Sequence, residues 1–150
     1  DAHFISDVIA ATHVDILQFH GNEEPEFCQQ FGKRYIKAIR VKQAQSLQAQ
    51  IEKHRQADAI LLDAYVPGVP GGTGQSFDWS IIPESVADRL LLAGGLSPDN
   101  VYDAIQQVRP YAVDVAGGIE LEKGIKSEEK ISRFIAEVRR ADEAFNEISS

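Results

Sequence analysis

Methionine is absent from the 150 residues and cysteine occurs once. With Cys28 alone, neither an internal disulfide nor a cysteine-built metal site can form, which fits a reducing compartment and makes the cytoplasm the expected location. In "EPEFCQQF" the thiol sits in one turn of an amphipathic helix, the setting of a buried, inert cysteine rather than of a nucleophile. A chain that opens on Asp1 without any methionine is expected to be processed or to be a piece of something longer. Positive charge is also scarce: Lys and Arg total 15 against 23 Asp and Glu, a net charge of -8. Nucleic-acid affinity is built from basic contacts to phosphate, so no nucleic-acid partner is expected. Long apolar runs are missing too. None approaches the roughly 18 residues that cross a bilayer, and no basic-then-apolar leader opens the chain, so no membrane partner is expected either. What remains, 43% hydrophobic and 25% charged, is the composition of one globular domain spanning 1–150.

Short apolar runs recur, each followed by turn residues: "VDILQFHG", "YIKAIRV", "AILLDA", "LLLAGGL" and "YAVDVAGG". Apart from the alternating second run they are nearly unbroken, as in parallel strands covered on both faces. Helical patterns lie between them. "EEPEFCQQFGK" carries acids and a proline in its first turn, "QAQSLQAQIEKHRQA" sets Leu47 and Ile51 on one side, and "SPDNVYDAIQQV" closes on Val101, Ile105 and Val108. "SEEKISRFIAEVRRADEAF" starts at Ser127 and repeats Ile131, Phe134, Ile135 and Val138, and "DAHFISDVIAATHV" puts Phe4, Ile5, Val8 and Ile9 together. The order is a helix followed by five strand–helix units. Two α/β architectures accommodate it: an open, doubly wound sheet, or part of a closed eight-stranded barrel. Length favours the first; a helix before the first strand favours the second.

In both architectures, function gathers where the strands' carboxyl ends meet their loops. Gln18, His20, Gly21, Arg40, Asp63, Gly94, Gly95, Asp114, Gly117 and Gly118 collect there. Gln18 and His20, two apart, project to one face. Glycine pairs after the last two strands let backbone N–H groups approach an anion, although tight turns alone would also use them. Asp63 either does chemistry or pairs with a cation such as Arg40. "GGTG", from Gly71 to Gly74, lacks the Lys-Ser/Thr ending of a nucleotide loop and suits a segment that folds over substrate.

Taken in order and spacing, "VDILQFHGNEEPEFC", "ILLDAYVPGVPGGTGQSFDWS", "LLLAGGLSPDNVYDAI" and "RPYAVDVAGGIELEKGIKSEEKISRFI" resemble the fourth, sixth, seventh and eighth units of phosphoribosylanthranilate isomerase, a (βα)8 barrel enzyme of tryptophan biosynthesis. The resemblance implies a single partial TIM-barrel domain over 1–150, its last five strand–helix units preceded by a helix. It implies an Amadori rearrangement of N-(5-phosphoribosyl)anthranilate without metal or cofactor. By this resemblance Asp63 matches the general acid. Gly94, Gly95, Ala116 and Gly117 match the backbone cradle of the phosphate, Asp114 lies beside it, and Gln18 and His20 line the pocket. The family's general base is a cysteine in a "KICG"-like segment ending the first strand, and an arginine after the second strand holds the anthranilate carboxylate. Neither segment is among these residues, and Cys28 aligns with a helix position, so the chain by itself is expected to be inactive. "AGG" at Ala116–Gly118 replaces the family's "SSG", and Ser127 follows Lys126 where an aspartate is usual. Loss of the missing barrel segment would leave the chain to self-associate or to pair with that segment. The alternatives are another phosphate-binding barrel enzyme, of the ProFAR-isomerase kind, and a non-catalytic barrel module.

Overall fold

The computed structural model describes residues 1–40, 44–63 and 78–148. Five strands form one sheet, β1 (Ile16–Phe19), β2 (Arg34–Arg40), β3 (Ala59–Asp63), β4 (Leu90–Ala93) and β5 (Ala112–Val113), all parallel and in sequential spatial order. Sequential order distinguishes the two architectures left open by the sequence. A doubly wound sheet reverses direction at a switch point and puts its first strand inside, whereas here β1 lies at one edge. The sheet is therefore a stretch of barrel wall. Its register brings Arg40 opposite Asp63 and Asp63 opposite Ala93, so the carboxyl ends of the central strands reach one rim together.

Helices cover the outer face. These are α1 (Ala2–Thr12), α2 (Pro25–Gln29), α3 (Ala44–Lys53), α4 (Val101–Val108) and α5 (Glu128–Ile148). Their ends follow local chemistry. Asp1 accepts from the His3 N–H at 2.9 Å and starts α1, Pro25 stands at the first position of α2, and the Ser127 hydroxyl accepts from the Lys130 N–H at 3.2 Å to start α5. α1 and α4 stop at His13 and Arg109, both left-handed with φ of 52°.

Side chains on β2 alternate: Tyr35, Lys37 and Ile39 are buried toward the helices, and the residues between them point to the inner face. The outer core has two parts. One joins Phe19, Cys28, Leu47, Ile51, Ile60 and Leu62 with Val86. The other joins Leu92, Val101, Ile105 and Phe134 with Trp79. Phe19 anchors the first through edge contacts with Phe27 and Tyr35 and a stacked contact with Phe31. Each fully buried Leu, Ile or Val contributes about 1.5–3 kcal/mol relative to exposure.

Between β3 and β4 the described residues form no α-helix but two 3-10 segments, Trp79–Ile81 and Glu84–Arg89. Asp78 holds the first by accepting from the Ser80 N–H and hydroxyl, and Pro83 interrupts any longer helix. Among the described residues four α-helices follow the first strand. A hairpin of β6 (Glu120–Glu122) and β7 (Ile125–Lys126), turning at Gly124 with φ of 84°, also precedes α5. The "GGTG" passage expected to fold over substrate, Gly71 to Gly74, lies outside the described residues.

Candidate functional site

The carboxyl ends of the strands surround a cavity of about 700 Å³ on the sheet's inner face. Of the residues singled out for the site from sequence, all but Gly21 line it; the Gly21 backbone is turned instead to Lys37 and Glu23. At one end are Gln18 and His20, from β1 and the turn beyond it, and Asp63, the last residue of β3. At the other are Gly94 and Gly95 after β4, and Asp114, Ala116 and Gly117 after β5. The two-residue spacing of Gln18 and His20 explains why both reach the same space. Parallel register explains why residues distant in sequence meet at one rim.

Asp63 stands at the acid end with its side chain one-third exposed, and Arg40 Nε lies 3.7 Å from its Oδ2. Arg40 is three-quarters exposed, so its attraction for Asp63 is screened by water.

The glycine end is built from backbone. Gly94 and Gly95 have φ of 83° and 68°, the left-handed region where a side chain is strained. This turn is bound by the Asn100 side chain: its Nδ2 donates to the Gly95 carbonyl at 3.0 Å and its Oδ1 accepts from the Ser97 N–H at 2.8 Å. After β5, Gly118 packs directly on the Leu96 carbonyl oxygen; a Cβ there would also come to 3.0 Å from Ser97 Cα. The two glycine turns are therefore in backbone contact. Lys126 braces the second by donating to the Ala116 carbonyl at 2.8 Å and to Glu120 Oε1 at 2.9 Å. Hydrogen bonding by Lys126, with help from the Gly124 backbone, holds the Glu120 carboxyl below its ordinary range.

Sequence reasoning missed Lys130 and Arg133, which also line the cavity. Lys130 donates to the Glu120 carbonyl at 2.6 Å, and Arg133 pairs with Asp99 at 2.8 Å. Their signal was present in the N-cap at Ser127, which places Lys130 in the first turn of α5, but the direction of that turn depends on packing. Cys28 is wholly buried in the outer core, as expected, and burial foremost raises its thiol above the ordinary range. It lies on the far side of the sheet from the cavity.

Known proteins resemble this chain in sequence and in fold. Residues 1–137 match the family model of N-(5'phosphoribosyl)anthranilate (PRA) isomerase. An N-(5'-phosphoribosyl)anthranilate isomerase of Azotobacter vinelandii is 52% identical over 137 residues, covering 91% of this chain and 66% of that protein. The chain thus spans about two thirds of that relative's length. The crystal structure of phosphoribosyl anthranilate isomerase from Thermotoga maritima superposes with a TM-score of 0.77 at 37% identity, covering 92% of this chain and 68% of that one. A second crystal structure, of phosphoribosyl anthranilate isomerase in complex with reduced 1-(o-carboxyphenylamino)-1-deoxyribulose 5-phosphate, gives a TM-score of 0.73 at 34% identity, covering 92% and 66%. By fold, by the grouping of these residues around one cavity and by sequence, the chain belongs to the N-(5'-phosphoribosyl)anthranilate isomerase family.

Proposed function

We propose that this chain supplies the general acid and the phosphate cradle for the isomerisation of N-(5-phosphoribosyl)anthranilate to 1-(2-carboxyphenylamino)-1-deoxyribulose 5-phosphate, a cytoplasmic step of tryptophan biosynthesis. The observation that carries this reading is that one cavity is lined by the Asp63 carboxylate toward one end and by the glycine turns of Gly94, Gly95, Ala116 and Gly117, with Asp114 beside them, toward the second. The sugar phosphate fits the second end because open N–H groups and bare Cα atoms admit an anion closely.

In the first step Asp63 donates its proton to the ribose ring oxygen as the bond from that oxygen to the first sugar carbon breaks. The anilino nitrogen's lone pair completes an iminium ion. A base then removes the proton from the second carbon, and the electron pair moves toward nitrogen to form an enol-amine. Reprotonation at the first carbon and loss of the hydroxyl proton give the ketone, with no net change in atoms or electrons. Cys28 is no candidate for the base, being buried on the outer face. The base and the group that holds the anthranilate carboxylate belong to strands that a complete barrel adds to this wall. Gln18 and His20 line the same cavity as Asp63.

The test joins the chain to the preceding strands of the Azotobacter vinelandii relative and follows loss of the anthranilate substrate's fluorescence. Turnover is expected, and Asp63→Asn is expected to lower it roughly a hundredfold or more while phosphate binding persists. Conversion of a ProFAR-type ligand in place of the anthranilate, or full activity of Asp63→Asn, would overturn the assignment.

A further inference from the structure

Lys37 is a charged residue whose side chain is only 4% exposed. It lies on the outer face of β2 between Tyr35 and Ile39, in a row where an apolar side chain would pack without electrostatic cost. An ammonium there is tolerated only when its protons are engaged, and replacing a buried ion pair by apolar residues is often no loss to stability. Stability alone therefore does not explain the lysine.

Its partners suggest what does. Nζ donates to the Gly21 carbonyl at 2.7 Å and to Glu23 Oε2 at 2.7 Å. The Glu23 carboxylate in turn accepts from the Gly21 N–H, at 2.9 Å to Oε2 and 3.2 Å to Oε1. Both backbone polar groups of Gly21 are thus tied to the pair, and the carboxylate closes so tightly that a Cβ on Gly21 would meet Glu23 Oε1 at 2.9 Å. The Gly21 N–H belongs to the peptide plane that leaves His20, so fixing it fixes the backbone direction from which the imidazole enters the cavity. No hydrogen bond to a described residue holds the imidazole itself. Burial favours the neutral Glu23, but the hydrogen bond and charge of Lys37 with the Gly21 N–H outweigh it, so this carboxyl lies below its ordinary range. The Glu23 carboxylate consequently stays ionised at neutral pH.

We propose that Lys37 and Glu23 are positioning residues which, from the back of the sheet, set the approach of His20 to the substrate. This rests on the reading of the cavity as the isomerase site. Neither residue touches the cavity. Their effect should therefore pass through His20 and leave the phosphate end alone.

The experiment uses the complete barrel with Glu23→Gln, which keeps the shape of the side chain and removes its charge, and with Lys37→Met. Glu23→Gln is expected to lower kcat/KM roughly tenfold or more, with unchanged affinity for inorganic phosphate, because small displacements of a positioned group are costly in rate. In a His20→Ala background the same change should have less than about a twofold further effect, the mark of coupled residues. Independently of turnover, the His20 Cε1–H resonance should shift or broaden in Glu23→Gln. A folded Glu23→Gln with parental kinetics, a full additional loss in the His20→Ala background, or an unmoved His20 resonance overturns the proposal. If the parent barrel does not turn over the anthranilate substrate, the isomerase reading fails on its own, and the His20 resonance decides the positioning role. Glu23→Gln carries the test even where Lys37→Met fails to fold.

Discussion

Two neighbouring glycines of the "AGG" triplet are not equivalent. A side chain built on Gly117 meets nothing within 4 Å among the described residues, whereas one on Gly118 runs into the Leu96 carbonyl oxygen. Gly117 also lines the cavity at the proposed phosphate end and does not have a positive φ. Gly117→Ser should therefore fold normally and add a hydroxyl to the cradle. Phosphate affinity, measured by calorimetry on the complete barrel, is expected to rise by the value of one hydrogen bond, about 0.5–1.5 kcal/mol. Gly118→Ala should instead force two backbone segments apart and lower the urea midpoint, at a cost of about 1–3 kcal/mol. The sequence already displayed the departure from "SSG". It did not show which glycine was replaceable, because that depends on a contact between residues in successive loops.

At the scale of elements, the packing of α3 against the sheet carries a pH dependence. His54, one residue beyond α3, is 3% exposed, and its Nδ1 has no hydrogen-bond partner among the described residues. Burial first, and then the charges of Lys37 and Lys53, lower its pKa from the ordinary 6.5; Glu24 and Glu23 oppose them in part. The unfolded chain therefore binds this proton more readily than the folded one. The stabilising contribution is complete above the unfolded value of 6.5 and is lost as pH falls below it toward the lower folded value. Urea midpoints taken at pH about 7.5 and about 5.5 should differ in that direction, by no more than about 1.4 kcal/mol per pH unit for one proton. His54→Gln should flatten the slope in this window. Most elements on either side of this contact were legible. The apolar runs located five strands, first-turn and capping residues located α2 and α5, and an apolar face located α1. The β6–β7 hairpin was not, since "ELEKGIK" offers a glycine turn but little apolar alternation. The 3-10 segments at Trp79–Ile81 and Glu84–Arg89 escaped for another reason: their apolar residues resemble a helix face, and the Pro83 between them breaks it.

For the whole molecule, sequential strand order leaves two sheet edges. Among the described residues β1 pairs only with β2, and β5 only with β4. A parallel edge presents unpaired N–H and C=O groups, and Ile16 on β1 remains 37% exposed. Prepared as these 150 residues, the chain is expected to self-associate, or to be drawn into a soluble one-to-one complex by a supplied fragment carrying the other strands of a relative. Sedimentation velocity over a range of concentrations checks this; a compact monomer that ignores the fragment would contradict it. The barrel's winding was legible only in part, because alternating helices and strands are common to both architectures and only spatial order separates them.

The backbone contact between Gly118 and Leu96 also bears on how such a chain can be rearranged by recombination. Both glycine turns, the Asn100 brace and the Lys126 brace lie within residues 94–126, on the carboxyl-terminal side of Asp63. A crossover upstream of Leu90 transfers this assembly intact, whereas one between Ser97 and Gly118 takes its touching surfaces from different parents. Exchange among diverged genes should consequently preserve the anion-holding end as an inherited cassette, leaving the acid end free to be paired with new partners.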